Sequence, residues 1–483
     1  MDNNTISPRD AAWREELRQS MNARERGEIA RVKMPELAPD YRITTLTEEV
    51  NQGLDRQQAM IEAKRCLDCP NPQCVTGCPV GINIPGFIKN LERDNVDQAL
   101  AVLNETSALP AVCGRVCPQE KQCESRCIYN KMKKQPVAIG YLERFAADHG
   151  TPSAAEKPQS NGIRVAVCGS GPAGLSFAGD MAKRGFEVTV FEALHEIGGV
   201  LKYGIPEFRL PNAVVNREIE SLRRLGVDFH KDTIVGKTIS YDDLHDMGFR
   251  GIFVASGAGL PKFMGIPGEN FNNVLSSNEY LTRINLMHAG QEGWATPVHR
   301  GKTVAVIGGG NTAMDSCRTA RRMGAEKVYV VYRRSEAEMP ARVEEVKHAK
   351  EEGVEFLTLH NPIEYLSDES GAVRAMRLQH MQLGEPDESG RRSPVAIEGD
   401  VVELPVDMVI VSVGVSPNPI IPNSIEGLEV SRRGTIVVGD DTLQSSIADL
   451  YAGGDIVRGG ATVILAMGDG RKAAASMASA LLK

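Results

Sequence analysis

The chain has 483 residues, 42% of them hydrophobic, with 47 glycines, ten cysteines and a formal net charge of -8. That length suits about three domains, and the acidic balance excludes the basic footprint of a nucleic-acid binder. The longest apolar runs, such as VAVIG and MVIVSVGV, are strand-sized, and the start MDNNTISPRDAAWREEL has no apolar signal-peptide core; a soluble, cytoplasmic protein without a membrane span is expected.

Residues 1–150 form the first block. The stretches DRQQAMIEAKRCLDC and IPGFIKNLERDNVDQALAVLNE read as helical, with Ile84, Phe87, Ile88 and Leu91 at helical spacing in the second. Two cysteine runs lie in the turns between helices. Cys66, Cys69, Cys74 and Cys78 are separated by two, four and three residues and followed by Pro79; Cys113, Cys117, Cys123 and Cys127 follow, with Pro118 after Cys117. Thiolates at short fixed spacings followed by Cys-Pro are how ferredoxin-like segments hold iron-sulfur clusters, the last cysteine of a run often serving the other of two clusters. Structural zinc usually pairs two Cys-x-x-Cys knuckles, and only Cys66 and Cys69 have that gap. A disulfide framework needs an oxidising compartment. Two 4Fe-4S clusters and electron transfer are the leading reading.

The segment TPSAAEKPQSNG, residues 151–162, reads as a linker. After it, buried-strand runs alternate with helices, as in a parallel sheet. RVAVCGSGPAG is a strand turning through glycines into the helix FAGDMAKRGF, and the strand VTVFE follows, ending at Glu192. This is G-x-G-x-x-G in its required context. Gly169, Gly171 and Gly174 let the backbone approach a pyrophosphate, and Glu192 can accept a bond from a ribose hydroxyl.

The unit recurs in TVAVIGGGNTAMD, the helix CRTARRMGA and the strand KVYVVY, which leads into Arg333 and Arg334. Here Ala313 stands for the third glycine. Arginine where the first unit has Glu192 suits a 2′-phosphate, which a guanidinium binds with a forked pair of charged hydrogen bonds, so the second site should prefer NADPH over NADH. The plainer reading makes both arginines a solvated strand end. Near the end of the chain, DLYAGGD ends at Asp455, which either bonds a flavin ribityl chain or is a plain N-cap. GATVILAM then opens a helix whose N-terminal amides can face the flavin pyrimidine. Cys168 and Cys317 read as buried structural thiols.

The strings EAKRCLDCPNPQCVTGCPV, LPAVCGRVCPQEKQCESRC, VAIGYLERFAAD, GGVLKYGIPEFRLP, VIGGGNTAMD, YRRSEAEMPAR and YAGGDIVRGGATVILAMGDGR together resemble the small (β) subunit of bacterial NADPH-dependent glutamate synthase and its relatives over nearly the whole chain. The relatives include the large subunit of the electron-bifurcating NADH-dependent ferredoxin:NADP oxidoreductase and the N-terminal half of dihydropyrimidine dehydrogenase. The resemblance implies an α/β enzyme: an N-terminal α-helical iron-sulfur domain (1–150) with two 4Fe-4S clusters, then glutathione-reductase-like FAD and NAD(P) domains with Rossmann-type sheets. The FAD domain is split (163–299 and 414–483) around an NADPH domain (300–413).

On that resemblance FAD is held by Gly169, Gly171, Gly174, Glu192, Gly199, Leu201, Arg209, Asp455 and Thr462. NADPH is held by Gly308, Gly310, Asn311, Thr312, Arg333 and Arg334. One cluster is assigned Cys66, Cys69, Cys74 and Glu143, the other Cys78, Cys117, Cys123 and Cys127; spacing alone would put Cys113 where the resemblance puts Glu143. Hydride transfer needs no acid-base residue, so no catalytic side chain is assigned. The implied partner is a large glutamate synthase subunit or another flavin/iron-sulfur electron acceptor. The alternative is the large subunit of a bifurcating transhydrogenase.

Overall fold

The computed structural model describes residues 6–152, 157–388 and 390–483. The expected linker falls partly outside them, at residues 153–156. The N-terminal block is helical, and the helices Ile84–Glu92, Val96–Asn104, Pro110–Val116 and Ile139–His149 carry its apolar core. The stretch read as one helical run from Ile84 is two helices, because Asp94 takes a left-handed backbone (φ 63°) that reverses the chain.

Two five-stranded parallel sheets follow. In the first, the order is Leu450–Ala452, Phe249–Val254, Arg164–Cys168, Glu187–Phe191, Asp228–His230. The C-terminal helix Val463–Leu481 lies along the helix Pro172–Ala182. They approach so closely that a Cβ on Gly470 would sit 2.3 Å from the Ala173 carbonyl oxygen. The second sheet has the order Val274–Ser276, Met408–Val411, Thr303–Ile307, Lys327–Tyr332, Glu355–Thr358. The expected boundary at 299/300 is therefore too late: Val274–Ser276 already pairs with Met408–Val411, and Tyr280, Leu281 and Ile284 fill the second core. The short antiparallel pair Leu260–Pro261 and Val415–Ser416 lies where the chain passes between the two sheets.

An antiparallel sheet of His360–Ser367, Val373–Pro386 and Arg392–Pro405 had no counterpart in the sequence reading. The helical domain is packed rather than tethered, since Leu109, Val112 and Leu142 share one continuous core with Val165, Phe177 and Met467. Against the second dinucleotide domain it makes an ionic latch. Arg42 bridges Glu36 and Glu351 at 2.9 and 2.8 Å, and Lys347 reaches both Glu36 oxygens at 3.2 Å. Glu36, His348 and Glu351 bring ligand atoms within 4.8 Å of one another, but these two cations already neutralise the carboxylates.

Candidate redox site

The two cysteine runs interdigitate. Gly77, between Cys74 and Cys78, crosses the second run so tightly that a Cβ would lie 2.8 Å from the Gln122 carbonyl oxygen and 3.1 Å from Cys123 Cα. Short 3-10 turns at Gln119–Lys121 and Glu124–Arg126 then fold Cys127 back on the first run. The neighbourhoods this makes cut across the partition inferred above. Cys127 acts electrostatically on Cys69 and Cys74, whereas Glu143 acts on Cys78, Cys113, Cys117 and Cys123. An outer group of Cys66, Cys69, Cys74 and Cys127 and an inner group of Cys78, Cys117, Cys123 and Glu143 result. Glu143 reaches the inner group because Gly114 lets two helices touch; a Cβ there would be 2.5 Å from the Arg144 amide nitrogen.

Burial pushes the Cys66 thiol up to about 11 and Cys78 to about 12. Burial, then the nearby Glu218, raises the Glu143 carboxyl to about 8. Glu143 Oε1 is buried without a hydrogen-bond partner, an orphan among thiols. All ten cysteines are free. Among the described residues no three sulfurs lie within 4.8 Å of one another, wider than the edges of about 3.8 Å in a tetrahedral zinc-thiolate site. The wide spacing, the shielded thiols and the orphaned carboxyl fit polynuclear clusters better than zinc. Cys113 is fully buried, its carbonyl accepting from the Cys117 amide at 3.1 Å and its Sγ lying 3.5 Å from Met467 Sδ on the C-terminal helix.

The first dinucleotide loop has the geometry a pyrophosphate needs. Gly169 has φ +110°, a Cβ on Gly174 would lie 2.0 Å from the Gly169 carbonyl oxygen, and Gly171 faces open space. Glu192 is buried just past its strand; Oε2 accepts from Ser170 N (2.9 Å) and Ser170 Oγ (2.5 Å), and Oε1 from Leu194 N (2.9 Å). Ser170, which the sequence reading passed over, also accepts from Gly198 N, fastening the Gly198–Gly199 turn over the loop. A Cβ on Gly199 would be 2.9 Å from Gly171 Cα. Leu201 is fully buried behind that turn.

Thr462 caps the helix Val463–Leu481, accepting from Leu465 N at 3.3 Å. Burial raises Asp455 to about 6. Asp469, another residue not foreseen, accepts from Gly454 N (3.0 Å) and pairs with Arg458. Arg209, expected at the flavin, also reaches beyond its own domain. Its guanidinium is turned to the second dinucleotide domain, on Asp315 (2.6 and 2.8 Å) and Glu345 (3.0 Å), while Phe208 lies under Arg322.

The second loop repeats the first, with Gly308 at φ +139° and a Cβ there 2.3 Å from the Ser412 carbonyl oxygen, and Gly310 open. Asn311 is half-buried and Thr312 exposed at the helix start. The two arginines part company. Arg333 is exposed and has no partner among the described residues. Arg334 is buried, donating from Nε to the Arg392 carbonyl at 2.8 Å and pairing with Asp387. Both partners come from the antiparallel hairpin that follows in the chain.

A helical cysteine domain stacked on two dinucleotide domains defines a pyridine-nucleotide oxidoreductase with an iron-sulfur module. Residues 42–154 match the family described as dihydropyrimidine dehydrogenase domain II, 4Fe-4S cluster, and residues 163–470 match pyridine nucleotide-disulphide oxidoreductase. The chain is 35% identical over 452 residues to the glutamate synthase [NADPH] small chain of Azospirillum brasilense, covering 92% of this chain and 93% of that one. It is 36% identical over 437 residues to the Escherichia coli K12 small chain (88% and 92%). It is 37% identical over 432 residues to the NADP(+)-dependent formate dehydrogenase subunit beta of Moorella thermoacetica (84% and 59%). The chain belongs to the family of the NADPH-dependent glutamate synthase small chain and related FAD/iron-sulfur pyridine nucleotide oxidoreductases. Its fold is like that of Mycobacterium tuberculosis FprA in complex with NADPH (TM-score 0.56, 19% identity, 66% of this chain and 84% of that one). Among the described residues no helix is long and apolar enough to cross a membrane.

Proposed function

We propose that this chain is the electron-input subunit of a glutamate synthase, with two 4Fe-4S clusters leading to a large partner subunit that makes glutamate from 2-oxoglutarate and glutamine. The observation carrying the electron-input role is the stacking of the inner group on the flavin side. A Cβ on Gly468 would lie 3.0 Å from the Pro79 carbonyl oxygen, and Cys113 meets Met467, both on the helix that opens at Thr462. The small-chain assignment is supported by matches over nearly the full length of two such chains. When bound, NADPH supplies hydride, FAD accepts it, and the clusters carry electrons singly.

The chain's own residues bind and orient. Gly169, Gly171 and Gly174 admit one pyrophosphate to a helix N-terminus, and Glu192, already locked by Ser170, presents a fixed acceptor to a ribose. Asp455 and the Thr462-capped helix are the groups that would meet the flavin's ribityl and pyrimidine ends. Gly308, Gly310, Asn311 and Thr312 receive the second dinucleotide, and Arg333, free of protein partners, takes the 2′-phosphate. Cys66, Cys69, Cys74 and Cys127 would hold one cluster, and Cys78, Cys117, Cys123 and Glu143 the other.

The test is reconstitution. The holo-chain with a glutamate synthase large subunit should oxidise NADPH only when 2-oxoglutarate and glutamine are both present, yielding two glutamates per NADPH. NADPH oxidation by an artificial acceptor together with failure to bind that subunit would reject the glutamate synthase reading and leave the oxidoreductase. Copurification with a small ferredoxin-reductase-like flavoprotein would point to the bifurcating alternative.

A further inference from the structure

The segment Pro340–Arg342 is tied on one side to the second dinucleotide loop and on the other to the inner cysteine group. Toward the nucleotide loop, Ala341 N donates to the Gly309 carbonyl at 3.2 Å and Arg342 N to Asn311 Oδ1 at 2.9 Å. Toward the cysteines, Lys121 Nζ donates to the Pro340 and Ala341 carbonyls at 3.0 and 3.1 Å. Arg342 Nη1 donates to the Arg115 carbonyl at 2.9 Å and Nη2 to Gln119 Oε1 at 3.0 Å, two residues either side of Cys117. Gln119 in turn packs on Gly140 of the helix that carries Glu143.

Arg342 is 4% exposed, with Glu344 at 3.1 Å and Glu120 at 3.5 Å as counter-charges and Glu345 nearby. A fixed cation beside a cluster favours the reduced state, which carries one more negative charge. Asn311, which anchors the strap, also opens the helix that meets the dinucleotide phosphates.

We propose that Pro340–Arg342 is a coupling strap that links occupancy of the second dinucleotide loop to the inner group, with Arg342 as the positioning residue that sets how readily the cluster there takes an electron. The inference rests on the proposed inner ligand set. Because coupling is reciprocal, reduction of that cluster changes nucleotide affinity by the same factor that the nucleotide changes reduction.

The test is an EPR-monitored potentiometric titration of the holo-chain with and without 2′-phospho-ADP-ribose, which carries the phosphates but no nicotinamide. In wild type, saturating probe should shift the midpoint of the signal that Cys117→Ser removes. Arg342→Gln should lower that midpoint by at least about tenfold in the one-electron equilibrium, about 59 mV, and abolish the shift. Arg342→Lys, which keeps the charge, should restore most of the midpoint. Should Arg342→Gln not fold, Lys121→Met decides: it unties an exposed lysine from the strap and should shrink the probe-dependent shift. An unmoved midpoint in folded Arg342→Gln, no probe-dependent shift in wild type, or a full shift in Lys121→Met would overturn the strap. Absence of any signal lost in Cys117→Ser would instead reject the ligand set on which it stands.

Discussion

The outer and inner cysteine groups draw on the same two runs, yet they are built differently. The outer one is fixed locally: Asp68, in the left-handed turn between Cys66 and Cys69, is fully buried and clamped by Arg14 and Arg18 of the first helix, and Lys89 Nζ donates to the Cys66 carbonyl. The inner one is fixed by the meeting of three domains. Glu143 arrives through a helix contact, Pro79 rests on Gly468, and Arg342 enters from the second dinucleotide domain. Sequence spacing specifies a local turn, whereas a site made by domain packing takes a ligand that spacing cannot announce.

The largest effects should come from deleting one ligand in each group. Cys66→Ser and Cys117→Ser should each lose about four irons per chain, the content of one cubane cluster. The double variant Cys66→Ser/Cys127→Ser should lose no more than either single change, while Cys66→Ser/Cys117→Ser should lose all. Iron analysis and EPR check this; additive loss on combining Cys66 and Cys127 would return Cys127 to the inner group.

Next, Asp68→Ala strands the buried Arg14 guanidinium and should cost about 3–5 kcal/mol of stability. Denaturant melts of the helical domain check the cost, and the damage should appear in the outer signal before the inner one. Equal loss of both signals would mean that the two groups are not separately supported.

The two dinucleotide loops extend the contrast at smaller scale, one closed by a locked carboxylate and the other by a free guanidinium. Arg333→Glu should move the kcat/KM ratio from NADPH toward NADH by about 1.5–3 kcal/mol, roughly 10- to 150-fold. Arg334→Gln, by contrast, should lower stability with little change in the ratio, because its partners are Asp387 and the Arg392 carbonyl. Cys113→Ser should have the smallest effect of all, leaving the iron content unchanged, whereas Glu143→Ala belongs with the ligand deletions and should weaken or lose the inner cluster. The reverse outcome would make Cys113 the ligand.

The sequence made the two dinucleotide units legible because strand, glycine turn and helix are contiguous. Arg164–Cys168, Thr303–Ile307 and Lys327–Tyr332 fall where their apolar runs lie. The eight clustered cysteines were equally plain. Their pairing was not, since it depends on the crossing at Gly77, between residues close in space but some 45 apart in the chain. Arg209 and Arg334 have partners that a linear reading does not supply: the buried Asp315 and Glu345 for Arg209, and the half-buried Asp387 for Arg334. The hairpin Val373–Pro386/Arg392–Pro405 gave no usable pattern, because much of it is exposed on both faces and its alternation is broken by register shifts.

The central claim is that the inner group stands between the flavin side and the outer group. Rapid-freeze EPR of Cys117→Ser holo-chain mixed with NADPH tests it most directly. The account predicts flavin bleaching at near wild-type rate while the outer cluster stays oxidised. Reduction of the outer cluster at the wild-type rate in that variant would contradict it.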